Sequence, residues 1–313
     1  MTASTSTIGF LACETTLPGA GDRRRGDAYE HDLMIAALEP ALAAEGLDLR
    51  VIDWEAPLDR FDGVDAVLLG TAWNYQDKAG AFLARLEALA ARGIRVHNPP
   101  GIVRWNMTKT YLRELEAAST EMGAAMIPTL WLDDVSAADA RAAAADFGCD
   151  RLVVKRQVGA GAMGQVLLDL NDLPGPDWQF GQPAMVQPFL PAIAEEGELS
   201  FVFIAGEMSH ALRKRAAKGD YRIQSLYGGY ESPHQASREE IEAARAVLAS
   251  LPFETPLYAR IDMLRGGVGE PDRLLLMEAE LIEPYLYPEQ GPRVGEHLAR
   301  ALARQLQPQG SRP

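Results

Sequence analysis

Along the first hundred residues, short apolar runs alternate with stretches in which apolar positions recur every three or four residues. Ile8–Cys13, Leu49–Trp54, Ala66–Gly70 and Ile94–His97 read as strands. Tyr29–Glu45 and Ala81–Arg92 read as helices, closed by Gly46 and Gly93. Apolar strands separated by helices predict a parallel sheet covered on both faces. Ligands of such sheets sit beyond the carboxyl ends of the strands. Those ends lead into Glu14–Asp27 and Thr71–Asp77, the second carrying Trp73, Asn74 and Tyr75. Asn98-Pro99-Pro100-Gly101 breaks the pattern and is the expected domain boundary. A helix over Lys109–Ala118, a strand Thr129–Leu132 and an alanine-rich helix Ala137–Phe147 follow. Strands are expected at Leu152–Lys155, Gln165–Leu168 and Ala184–Gln187. The last third predicts strands Leu199–Ile204 and Ser209–Arg213, a loop Lys214–Ser232, and a helix Glu239–Ser250. Strands Leu257–Met263 and Arg273–Glu280 and a helix Val294–Gln305 complete the pattern.

Composition narrows the function classes. The chain has 313 residues, and 30 Lys+Arg against 44 Asp+Glu give a net charge of −14. The length suits roughly two to three folding units. So acidic a protein is not built for non-specific contact with nucleic acid or an anionic membrane, although a local basic pocket remains open to an anion. Cys13 and Cys149 stand far apart and the five histidines are unpaired in sequence, which argues against disulfides and thiolate or imidazole metal sites. The chain lacks a run of about 18 apolar residues, and Ile8–Cys13 is too short for a signal-peptide core, so a cytoplasmic protein is expected.

Three segments carry candidate chemistry. Val153-Val154-Lys155 runs into a loop with Gly159, Gly161 and Gly164. Glycines let backbone N–H groups approach phosphate oxygens, and the lysine adds charge. The loop matches G-x-G-x-x-G literally, but a strand follows it instead of a helix, so a dehydrogenase-type dinucleotide site is disfavoured. A plain glycine hairpin with a snorkelling lysine is the other reading. Secondly, Asp262, Glu278 and Glu280 lie in two apolar strands, the two glutamates on one face. Such hard oxygen donors suit Mg²⁺, unless salt bridges to Arg260 or Arg273 account for them. Thirdly, Arg213, Lys214, Arg215, Lys218 and Arg222 make the segment around Lys214–Ser232 the most basic window of an acidic chain, suited to closing over an anion or simply to solubilising a loop.

The ordered set comprises the strand-Lys-Gly segment, Met185-Val186-Gln187-Pro188-Phe189-Leu190, Gly197-Glu198-Leu199-Ser200, Gly219-Asp220-Tyr221-Arg222, Arg260-x-Asp262 and Met277-Glu278-Ala279-Glu280. In that order it resembles the ATP-grasp superfamily, in its glutathione-synthetase-like and ribosomal-protein-S6-modification-enzyme-like branch, with a further similarity to the D-cycloserine-forming cyclo-ligase group. The resemblance implies an α/β (α+β) protein: a parallel-sheet pre-ATP-grasp substrate domain (1–100), a small lid lobe (101–187), a large lobe with the metal site (188–306) and a polar tail (307–313). It implies that Lys109 and Lys155 face the phosphates and adenine, that Gly159, Gly161 and Gly164 form a flap, and that Gln187, Pro188, Phe189 and Leu190 are the adenine hinge. Glu198 would accept from the ribose hydroxyls. Asp262, Glu278 and Glu280 would hold two Mg²⁺ ions, or Mn²⁺ in their place. Arg222 and Arg260, with Lys214 beside them, would stabilise the transferred phosphate. Glu280 stands where the family has Asn and adds negative charge. The implied activity is ATP-dependent joining of a small carboxylate and an amine through an acyl-phosphate, ring closure being a sub-case, by a monomer or homodimer. The alternative is a non-catalytic nucleotide-binding protein of the same fold.

Overall fold

A computed structural model describes residues 5–122, 125–158, 164–217, 223, 228–266 and 270–306. The first unit is a four-stranded parallel sheet, with β1 (Ser6–Ala12), β2 (Leu47–Asp53), β3 (Ala66–Thr71) and β4 (Arg95–His97) in the order β2-β1-β3-β4. Helix α1 (Tyr29–Ala44) buries Met34, Leu38 and Leu42 at three- and four-residue spacing. Helix α2 (Ala79–Ala91) buries Phe82, Leu86 and Leu89 in the same way. The expected boundary at Asn98–Gly101 holds a helix that the sequence reading missed, α3 (Pro100–Asn106). Pro100 opens it because a first helical residue needs no N–H partner. This helix and α4 (Tyr111–Met122) pack on the large sheet described below, through Ile102, Tyr111, Leu112 and Leu115.

Two antiparallel sheets follow. The smaller contains β5 (Leu130–Leu132), β6 (Arg151–Arg156), β7 (Val166–Asp169) and β8 (Ala184–Pro188), ordered β5-β8-β6-β7. Helix α5 (Ala137–Phe147) covers it, started by a Ser136–Asp139 capping box and stopped by Gly148. After the short helix α6 (Ala192–Glu195), the larger sheet comprises β9 (Glu198–Ile204), β10 (Glu207–Arg215), β11 (Tyr230–His234), β12 (Tyr258–Arg265) and β13 (Leu274–Glu280). Their order is β11-β10-β9-β12-β13. The expected loop Lys214–Ser232 is shorter than read: β10 continues through Lys214 and Arg215, and β11 begins at Tyr230 and pairs with it.

Central strand β9 is buried along its whole length, and its two faces serve two cores. Phe201 and Phe203 face α4 and α7 (Arg238–Ala249). Val202 and Ile204 join Leu212, Tyr258 and, from α8 (Val294–Leu306), Leu298 and Leu302 in one core with Ile8, Phe10 and Leu38 of the first unit. Polar anchors reinforce that seam. The Asn98 amide donates to the Tyr258 carbonyl (2.9 Å) and the Leu281 carbonyl (2.7 Å), and its oxygen accepts from the Leu257 N–H (2.9 Å). The Tyr258 hydroxyl donates to the His97 carbonyl at 2.7 Å. Among the described residues, no helix is long and apolar enough to cross a membrane.

Candidate active site

The face of the large sheet that carries Val202, Ile204 and Tyr258 continues past the first unit as a polar surface. Alternation puts Glu198 and Ser200 of β9, and Arg260 and Asp262 of β12, on that face. Register places Lys214 opposite Glu198, Ser200 opposite Asp262, Asp262 opposite Glu278, and Arg260 opposite Glu280. The register between β12 and β13 shifts at Asp262/Met263. That bulge lets Glu278 and Glu280 face the polar surface while Leu274 and Leu276 feed the core behind it.

The side chains interlock. Lys214 Nζ donates to Glu198 Oε1 at 2.6 Å and to Asp262 Oδ2 at 3.3 Å. Arg260 grips both oxygens of Asp262, at 2.9–3.1 Å, pairs with Glu280, and donates to the Tyr285 carbonyl at 3.1 Å. The Ser200 hydroxyl donates to Asp262 at 2.6 Å. Lys109 pairs with Glu278, and its N–H donates to the Gln157 carbonyl at 2.7 Å. Asn106 fixes the approach of that segment by bonding the Ala279 carbonyl and the Leu281 N–H.

Burial sets the protonation pattern. It would raise Asp262, but Arg260, Lys214 and the Ser200 hydroxyl outweigh it and hold the carboxyl well below the usual range. Burial pushes Glu198 up, to about 7, against the pull of a Lys214 shared with Asp262, and among the described residues the buried Glu198 Oε2 has no hydrogen-bond partner. Glu280 also moves up by burial, against the pull of Arg260. Lys155 falls to about 8, chiefly through burial and then through repulsion by Lys109, with Glu278 and Glu198 opposing.

The structure therefore brings together Lys109, Lys155, Glu198, Lys214, Arg260, Asp262, Glu278 and Glu280. The salt bridges weighed from the sequence are present for Arg260, whereas Arg273 pairs instead with Glu270 at 2.8 Å. Among the described residues, no three side chains already converge as a cation site. The carboxylates are drawn to side-chain cations, yet their shared face and hard oxygen chemistry fit a divalent ion once those cations turn away. Gln187 is buried and donates to Thr129 at 2.9 Å; Pro188 ends β8 beside it. The Phe189 N–H is taken by the Arg151 carbonyl at 2.9 Å, and its ring lies 3.9 Å below the Arg151 guanidinium. The Leu190 carbonyl accepts from Ile193 at 3.2 Å. Gly164, at φ +71°, packs beside Arg156. Gly159, Gly161 and Arg222 lie outside the described residues. Ser200 stands in the sequence motif Gly197-Glu198-Leu199-Ser200 without an assigned role; a hydroxyl two residues beyond Glu198 in an apolar strand was the available signal.

Side chains of the first unit reach Glu283, just beyond β13. Arg25 lies 5.2 Å from the Trp73 ring centre and is held by Asp27 at 2.7 Å. Trp73 donates to the Glu283 carbonyl at 3.2 Å, and Gln76 to the Glu283 carboxylate at 3.2 Å. Asn74 is tied to Trp54 and Glu55, at 2.6 and 3.0 Å.

Comparison with known proteins agrees with this architecture. Residues 8–98 match the family model "D-cycloserine synthetase DcsG, N-terminal domain". The chain is 28% identical over 299 residues to the cycloserine biosynthesis protein DcsG of Streptomyces lavendulae, covering 88% of this chain and 95% of that one. It superposes on the crystal structure of D-cycloserine synthetase DcsG with a TM-score of 0.76 at 23% identity, over 96% of this chain and 100% of the other. It also superposes on the ATP-grasp ligase PsnB, complexed with a phosphomimetic variant of its minimal precursor, Mg and ADP. That match has a TM-score of 0.61 at 16% identity, over 96% of this chain and 99% of the other.

Proposed function

Because the chain has the ATP-grasp fold and sits near the DcsG branch of it, we propose that it is an ATP-dependent carboxylate–amine ligase acting on a small amino-acid-like substrate. The carrying observation is the single face on which Glu198, Lys214, Asp262, Arg260, Glu280, Glu278 and Lys109 interlock. Four carboxylates and three cations share one face; Glu198, Lys214, Arg260 and Asp262 are buried there, a costly arrangement unless the groups exchange partners with a ligand, while Lys109, Glu278 and Glu280 remain partly exposed. Glu198 Oε2, buried and without a partner among the described residues, would accept from a donor such as a ribose hydroxyl. Lys109 and Lys155 reach the triphosphate, and the segment Gln187–Leu190 borders the adenine. Asp262, Glu278 and Glu280 would hold Mg²⁺, which when bound neutralises phosphate charge.

Lys214 and Arg260 are then free to face the phosphate as it passes to the substrate carboxylate. ADP leaves, a substrate amine attacks the acyl-phosphate carbon, and phosphate departs with the C–N bond made. Little covalent help is needed; positioning and charge perform the catalysis. Arg25, Trp73, Gln76 and Glu283 border the acceptor cleft, and the similarity to DcsG favours ring closure within one substrate molecule.

ADP release from MgATP, screened against amino acids and short peptides, tests this reading. Asp262→Asn should keep the fold and lower turnover at least about a hundredfold, since the isosteric amide removes the charge that both cations and metal require. Wild-type turnover by Asp262→Asn at saturating MgATP would refute the assignment.

A further inference from the structure

From the sequence, Tyr285–Tyr287 is expected to contribute to the substrate pocket; in the structure three independent features converge on Tyr287. Its backbone lies at φ +49°, in the left-handed region that is disfavoured for a non-glycine residue. Such strain persists only where the surroundings over-determine it. Here the Tyr287 carbonyl accepts from the N–H groups of Gln290 (3.1 Å) and Gly291 (2.9 Å), and Gly291 is pressed against the His210 ring with no room for a Cβ. The side chain is 8% exposed and lies 4.5 Å, centre to centre, from the Tyr285 ring. Its ring has Lys214 Nζ at 5.3 Å from its centre and the Arg260 guanidinium at 5.5 Å. One aromatic ring thus serves the two cations that hold Glu198, Asp262 and Glu280.

We infer that Tyr287 is a positioning residue: its ring keeps Lys214 and Arg260 aimed at the transferred phosphate after their carboxylate partners have turned to ribose and metal. The inference rests on the proposed nucleotide site. The physical reason is that an ion-paired carboxylate cancels the charge it holds, whereas an aromatic face attracts a cation through its quadrupole and carries no charge. A cation seated on a ring keeps its full charge for an incoming anion. Glu198 and Asp262 cannot both serve the ligand and restrain Lys214. The strained turn at Tyr287 supplies a restraint that does not compete.

Isothermal titration of the full chain with MgADP and with the magnesium complex of AMPPNP tests this, the ratio of the two affinities reading the γ-phosphate contribution. Tyr287→Phe keeps the ring and should bind both nucleotides within about twofold of wild type. Tyr287→Leu removes the aromatic face and leaves a smaller apolar side chain. It should lose about tenfold in AMPPNP affinity while MgADP stays within about twofold. A merely structural role would weaken both nucleotides together, or lower the melting temperature alone. An unchanged ratio in Tyr287→Leu, or a loss in Tyr287→Phe as large as in Tyr287→Leu, overturns the inference. If Tyr287→Leu does not fold, Tyr287→Asn tolerates the left-handed backbone and the same ratio decides. Wild-type protein that binds neither nucleotide overturns the nucleotide site and this inference with it. Normal wild-type binding with an unchanged ratio overturns this inference alone.

Discussion

Lys155 offers a quantitative test because its charge is poised. Burial, aided by Lys109, brings its amine down to about 8 in the free protein. The sign follows from that depression: the free protein carries the charge below about 8 and loses it above, while a bound triphosphate restores the ordinary value near 10.4. Nucleotide binding must then draw in a proton at Lys155: about 0.5 per site near pH 8 and about 0.9 near pH 9. The same linkage weakens ATP affinity about fivefold, or about 1 kcal/mol, between roughly pH 8 and pH 9. Glu198, pushed up to about 7, is ionised through the upper part of that window and contributes little there. Calorimetric titration of MgATP in two buffers of different ionisation enthalpy reads the uptake directly. Lys155→Arg, which cannot lose its proton, should show no uptake and a flat pH profile whatever its absolute affinity. Binding without proton uptake near pH 8, or the same slope in Lys155→Arg, would refute the reasoning.

Two further outcomes test the frame around the site. Asn98→Ala strands two carbonyls and one N–H in the seam between the first unit and the large sheet, so stability should fall by about 3 kcal/mol or more and the melting temperature by about 6–10 °C in a thermal scan. Gly197 lies at φ +97° with its missing Cβ aimed at the Lys214 carbonyl, whereas Gly181, at φ +82°, faces open space. Gly197→Ala should therefore weaken ATP binding and lower the melting temperature, while Gly181→Ala should cost only about 1 kcal/mol in the melt and leave ATP binding unchanged; equal behaviour of the two variants would count against the close approach.

Most elements could be read in the sequence because each face of the chain repeats with its own period. The helix Ala137–Phe147 coincides with its predicted limits, since Ser136 and Gly148 mark both ends. Two elements were hidden by their own chemistry. Pro99-Pro100 reads as a breaker and is also the preferred start of a helix, so α3 was masked. Strand β11 contains Pro233 and has little apolar alternation; only its pairing with β10 at the sheet edge makes it a strand. The carboxylates and lysines of the site were identifiable by residue type and order. Their partners were not, because Lys109 and Glu278 are 169 positions apart and meet only through the packing of α3 and α4 on the large sheet. The positive φ of Tyr287 likewise arises from tertiary packing and leaves no mark on the string of residues.

The core shared by the two ends of the chain has a consequence for how the protein is made. Ile8, Phe10 and Leu38 emerge from the ribosome well before Leu298 and Leu302, which form part of their apolar cover. A growing chain emerges at about 5–20 residues per second, so this sheet waits on the order of ten seconds or more with one face of α1 bare. The N-terminal unit is therefore a poor candidate for early autonomous folding and a natural client for chaperones. A stalled chain ending before Val294 should be captured by them and cleaved by protease within α1, whereas a chain extended through Leu306 and clear of the exit tunnel should resist both.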